Sequence, residues 1–136
     1  MRLSSKGEYA LLAMLYLAQR YGAGPVPTHD IATSNAVPKK FLEQILLTLK
    51  RSGLVRSRMG PEGGYELARR PDEITLAEIV RLMDGPIAAV SSVSERFHSS
   101  TPLERSPPLI AVFRDIRNFA ATKLESTTLA MLITNE

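Results

Sequence analysis

Residues 38–68 read PKKFLEQILLTLKRSGLVRSRMGPEGGYELA, a helix followed by a hairpin. Pro38 suits the first position of a helix that runs to about Arg51 and is stopped by Gly53. Phe41, Leu42, Ile45, Leu46 and Leu49 recur at helical spacing and predict one buried stripe. The opposite face carries Lys39, Lys40, Glu43, Gln44, Leu47 and Arg51. Two lysines in the first turn oppose the helix dipole, which favours acids at that end. A conflict of this kind marks a place where an external anion is to be met. Leu54 to Met59 and Tyr65 to Ala68 are β-rich segments flanking Gly60-Pro61-Glu62-Gly63-Gly64, where Gly63 and Gly64 are expected to supply positive φ. Arg56 and Arg58, two apart, share a strand face, and Arg69 and Arg70 stand at the exit. No Gly-Lys-Ser/Thr follows the glycines, so the tip is not a phosphate-binding loop.

Upstream, Ser5 to Arg20 reads as a helix with Ser5 as its cap, Glu8 as the partner of a capping box, and Gly22 and Gly24 beyond its end. Its middle, YALLAMLYLA, is apolar nearly all round and predicts the central helix of the core. Pro25 and Pro27 impose a short extended connection. Thr28 then caps a second helix from His29 to about Ser34, with Asp30 in its first turn. Three helices followed by a basic hairpin is the order of a winged helix–turn–helix, whose third helix enters the major groove of double-stranded DNA. The turn Asn35-Ala36-Val37 lacks glycine, so Asn35 is expected to provide the bend. In this frame Gln44 would read adenine, Glu43 cytosine, and Lys40 guanine or a phosphate. The hairpin with Arg56 and Arg58 would follow the backbone or reach the minor groove. Lys39, Arg51, Gly63 and Gly64 complete the expected DNA-binding set.

Downstream, Thr75 and Glu78 form a capping box, stapled by Ile74 and Ile79, for a fourth helix that runs to about Met83 and ends at Asp84-Gly85-Pro86. Residues 86–108 hold six serines and four prolines and read as an irregular, mobile connection. Ser106 caps a long helix opened by Pro107 and Pro108. Its apolar positions Leu109, Val112, Phe113, Ile116, Phe119, Ala120 and Leu124 alternate in steps of three and four, a seam expected to pair with a second copy. The alternative is a helix folded back onto its own core. A last turn, Thr127 to Ile133, is expected to bury Leu129, Leu132 and Ile133. The expected architecture is mainly α with a two-stranded β wing. It comprises a DNA-binding unit at 1–85, a flexible loop at 86–106, and a dimerisation helix with its C-terminal turn at 107–136.

The charge supports this division. Residues 1–71 hold eleven Lys or Arg against five Asp or Glu, a net of +6, and residues 72–136 hold six against nine, a net of −3. Hydrophobic residues at 44% exclude a disordered tail, and the absence of Trp leaves the core to Leu, Ile, Val and Ala. Without cysteine, the 136 residues make no disulfide, thiol nucleophile or Cys-ligated metal or cluster. The longest apolar run, Tyr9 to Ala18, is ten residues, about half of what spans a membrane. Glu8 and the lack of a small-residue cleavage site argue against a secretion signal, so a cytoplasmic location without a membrane partner is expected. His29 and His98 lack acidic partners at ligand or catalytic spacing. Ser5, Ser57 and the loop serines lack a His–Asp set, and paired carboxylates occur only as Asp72-Glu73. No catalytic residue, metal or cofactor is expected.

Three segments, MRLSSKGEYALLAMLYLA, FLEQILLTLKRSGLV and GPEGGYELARRPDEITLAEIV, resemble the Rrf-type dimeric winged-helix transcriptional regulators, a bacterial family of the IscR, NsrR and CymR kind. The resemblance covers residues 1–85, and FRDIRNFAATKLESTTLAMLI is similar to the family's dimer helix and tail. Leu42-Glu43-Gln44, Gly53-Leu54-Val55 and Gly63-Gly64-Tyr65 carry it most specifically. It implies a homodimeric regulator on a partly palindromic operator, with Lys40, Glu43 and Gln44 on the recognition helix; repression is expected ahead of activation. Two departures stand out. Family wings carry Arg-Gly where this chain has Met59-Gly60, and Arg58 points to the other strand face unless the wing is bulged. Cluster-binding members place three cysteines between the fourth helix and the dimer helix, where residues 86–108 have none. The chain thus resembles a cluster-free member, with cysteine, sulfur or iron–sulfur-related metabolism as the implied setting. No residue specifies a small-molecule effector or partner enzyme. A winged helix that binds protein instead of DNA is the other reading, and it leaves Lys39, Lys40, Arg56 and Arg58 unexplained.

Overall fold

The computed structural model describes residues 2–88, 90–94 and 100–133, so His98 lies outside the described residues. The elements are α1 (Ser5–Gln19), α2 (Thr28–Asn35), α3 (Lys39–Arg51), β1 (Val55–Arg58), β2 (Gly64–Leu67), α4 (Leu76–Asp84), α5 (Pro107–Ser126) and α6 (Leu129–Ile133). Short 3-10 turns lie at Pro71–Glu73, Ser91–Val93 and Pro102–Arg105. The mainly helical fold with one antiparallel β pair is the architecture the sequence predicts. Helix α1 is its hub. Ala10, Ala13 and Met14 are fully buried, and the helix packs against α2, α3, α4, α6 and β2.

Several helix starts differ from expectation. Ser4, not Ser5, caps α1: its backbone is extended and its hydroxyl accepts from the Gly7 N–H at 3.0 Å. The cap is held in place by Asp84 at the end of α4, which accepts from both the hydroxyl and the N–H of Ser4. Glu8 consequently falls one position too late for a capping box. Thr28 is the first residue of α2 rather than its cap, because Pro27 occupies the cap position. Pro38 does the same for α3. Between them Ala36, not Asn35, takes the left-handed conformation, at φ 53°. Asn35 stays helical and donates its side-chain amide to the Ile31 carbonyl at 3.1 Å.

In α3, Leu42, Ile45, Leu46 and Leu49 are fully buried. Phe41 is 39% exposed; it sits at the edge of the stripe and meets Tyr9 edge-on at 5.5 Å. The strands pair from Val55↔Leu67 to Arg58↔Gly64 without a bulge. Gly64 has a φ of 150°, but Gly63 does not have positive φ; it is required for space, since an added Cβ would collide with the Arg58 carbonyl.

Thr75 caps α4, accepting from the Glu78 N–H at 3.2 Å above the buried staple residues Ile74 and Ile79. Ser106 caps α5 through the Leu109 N–H at 3.4 Å. Along α5 the expected seam divides. Ala120 and Leu124 turn towards Ala77, Val80, Ile87 and the buried Ala121, packing the helix on its own chain. Leu109, Val112, Ile116 and Phe119 remain 42%, 53%, 51% and 77% exposed, with Phe113 half-buried between the two arcs. In the connecting segment Ile87, Ser92, Val93 and Ser94 are buried. Leu129 of α6 is buried, whereas Leu132 is 47% exposed, because a five-residue helix turns only one face inward.

Candidate nucleic-acid interface

Burying one stripe of α3 fixes what its other side presents. Lys39, Lys40, Glu43, Gln44, Lys50 and Arg51 are all exposed. At about 100° per residue, Lys39, Glu43 and Lys50 lie within ~40° of one another, and Lys40, Gln44 and Arg51 form a second such row. Leu47 separates the rows. The first row lines an open groove of about 550 Å³ between α3 and the hairpin, whose other wall includes Arg58, Met59 and Tyr65. Helix α3 has no acid in its first turn, and no side-chain oxygen caps α2 or α3, each of which starts behind a proline. Their first-turn N–H groups and positive dipole ends suit the phosphates of a duplex.

The hairpin arginines are less free than the sequence suggests. Arg56 and Arg58 share the outer face, as their spacing predicts, but Glu66 of β2 lies opposite Arg56 and accepts from its Nε at 3.0 Å. The same carboxylate lies 3.9 Å from Arg58. Arg58 is long enough to reach the α3 groove, while Arg56 lies on the other side of the wing with Tyr21 and Gly22. Arg69 and Arg70 are committed elsewhere. Arg69 donates to Glu78 at 2.8 and 3.2 Å and to the Glu73 carbonyl, and Arg70 pairs with Asp72 and Glu73. The hydrogen bond to Glu78 raises the Arg69 guanidinium above its ordinary range, against the opposing effect of burial. The hydrogen bond to Asp72 raises that of Arg70 likewise. These charges are present at any pH below that range and are lost only above it.

Two residues in the expected binding set act through shape. Gly63 lets the hairpin tip close, with its N–H donating to the Gly60 carbonyl at 3.0 Å. Gly64 lets the wing approach residue 26, where Val26 and Tyr65 exchange hydrogen bonds of 2.7 and 2.9 Å. Sequence reasoning missed Lys50, Thr28 and His29, which all line the groove. The signal for Lys50 was its position seven residues after Glu43, and for Thr28 and His29 their place at the start of the turn unit's first helix. Among the described residues, no group of three or more His, Cys, Asp or Glu could hold a metal ion, and no helix is long and apolar enough to cross a membrane.

Comparison with known proteins agrees with this geometry. The model of the Rrf2 family, described as an iron-dependent transcriptional regulator, matches residues 3–135. A Mycobacterium tuberculosis protein named as a helix–turn–helix-type transcriptional regulator is 42% identical over 133 residues, covering 96% of this chain and 80% of that protein. The transcriptional regulator CymR of Bacillus subtilis is 37% identical over 129 residues, covering 95% of this chain and 87% of CymR. The solved structure of that protein, titled the global cysteine regulator, superposes with a TM-score of 0.82 at 35% identity, covering 100% of this chain and 98% of that one. IscR of T. potens superposes with a TM-score of 0.77 at 32% identity, covering 100% and 89%. These relatives are regulators and not enzymes. A winged helix with basic residues on its exposed third helix, matched along nearly its whole length, thus belongs to the Rrf2 family of DNA-binding transcriptional regulators.

Proposed function

We propose that this chain is a cytoplasmic repressor that binds a partly palindromic operator as a homodimer and carries no iron–sulfur cluster. The observation that carries the DNA reading is the exposed polar face of α3, beside the wing and two helix starts without side-chain caps. Lys40, Glu43 and Gln44 serve as base-reading residues, and Lys39, Arg51, Arg56 and Arg58 approach phosphates. The dimer reading rests on α5. Its exposed residues Leu109, Val112, Ile116 and Phe119 are spaced three, four and three, a pattern that reads the same in either direction. An antiparallel second copy therefore sets Leu109 against Phe119 and Val112 against Ile116, the self-complementarity a two-fold interface needs. The absence of cysteine leaves no thiolate for a cluster. The likeness to a cysteine regulator makes sulfur or iron–sulfur-related genes the proposed targets.

Selection of duplexes from a random pool by the purified protein tests this reading. The expected product is a pair of inverted half-sites about 10 base pairs apart, centre to centre, or a multiple of that spacing. Lys40→Ala and Gln44→Ala should each alter the selected sequence at a cost of about 1–3 kcal/mol. Enrichment of no sequence would favour the protein-interaction reading of the winged helix.

A further inference from the structure

The hairpin tip has a feature that a phosphate-binding wing does not require. Met59 is 90% exposed, more than any other large apolar residue among those described. It stands at the end of the paired strands, where the hairpin turns. Val55 and Ser57 face the body of the protein and Arg56 and Arg58 face outward. Met59 follows the last paired residue and lines the α3 groove beside Pro61 on one flank of the tip, and meets Ala23, Gly24 and Pro25 on the other. Its backbone is fixed. Gly60 takes a φ of 104°, Pro61 follows, and Gly63 closes the tip so tightly that an added Cβ would lie 2.9 Å from the Met59 carbonyl carbon. The tip therefore presents a flexible thioether, flanked by Arg58, on a constrained loop next to the reading helix.

Resting on the DNA reading above, we propose that Met59 is a specificity-determining apolar probe that enters the minor groove flanking the segment read by α3. The walls of that groove are deoxyribose edges, against which an unbranched side chain packs without needing a hydrogen-bond partner. A guanidinium at this position would instead seek the negative potential of a narrow A·T groove. Met59 adds contact area and no charge, so it contributes affinity that is independent of salt, while Arg58 neutralises phosphate beside it. The exocyclic amino group of guanine, which projects into the minor groove, stands in the way of the probe.

The test uses the full chain and a duplex selected by it, with the flank varied among A·T, G·C and inosine·C pairs. Inosine·C keeps the major-groove pattern of G·C and lacks only the minor-groove amino group. Wild-type protein should prefer A·T and inosine·C over G·C at the flank. Met59→Ala should lose about tenfold in affinity together with that preference, at an unchanged slope of log affinity against log salt. Met59→Arg should steepen the slope by about one and favour A·T-rich flanks. Met59→Ala binding as tightly as wild type, or wild-type indifference to the amino group, would overturn the proposal. If Lys40→Ala weakens binding while Met59→Ala does not, this inference alone fails. If the wild-type protein selects no duplex, the DNA reading fails with it.

Discussion

Helices α3 and α5 are both amphipathic, yet they are turned opposite ways. Helix α3 buries Leu42, Ile45, Leu46 and Leu49 completely and shows lysine, glutamate and glutamine to solvent. Helix α5 shows Leu109, Val112, Ile116 and Phe119, and buries Arg117 together with Ile110 and Ala121. The two outer faces differ in what a partner would offer them. A charged face is comfortable in water and exchanges counterions for phosphates. An exposed row of large apolar residues gains only when another apolar surface covers it. One chain thus carries two exposed surfaces of opposite chemistry.

The contrast can be tested by altering each face. Ile116→Glu combined with Phe119→Glu should cost the association of two copies about 4 kcal/mol, near a thousand-fold, with helix content retained. Sedimentation or light scattering should then report a monomer, and an unchanged assembly would show that this row is not the seam. Leu46→Ala, on the buried side of α3, should instead lower folding stability by about 3 kcal/mol in a urea titration. Ala36→Gly relieves a left-handed alanine in the turn between α2 and α3 and should add about 1 kcal/mol of stability. The smallest effect is expected at Glu66→Gln, which releases Arg56 and Arg58 on the wing. DNA affinity should rise about twofold, roughly 0.5 kcal/mol, because exposed ion pairs are weak. A fall in affinity would mean that Glu66 orients those arginines for binding.

The reading helix and the wing were legible because their signals are local. Periodicity gives the stripe of α3, and Gly60-Pro61 with Gly63-Gly64 gives the turn. What was missed depends on residues distant in sequence. Ser4 and Ser5 are equally good caps until Asp84 selects one. Glu66 becomes the partner of Arg56 only once the register is fixed. Lys50 and His29 join the site only when three separate segments form one groove. On α5, two apolar arcs share a single three-four rhythm, so the inward-facing Ala120 and Leu124 could not be separated from the outward row.

The clasp between Ser4 and Asp84 spans 80 residues of chain, and it closes the winged helix into a ring. Closing a flexible loop of that length costs on the order of 4 kcal/mol of chain entropy. Once shut, it joins the first helix directly to the residue before Gly85, where the chain departs towards α5.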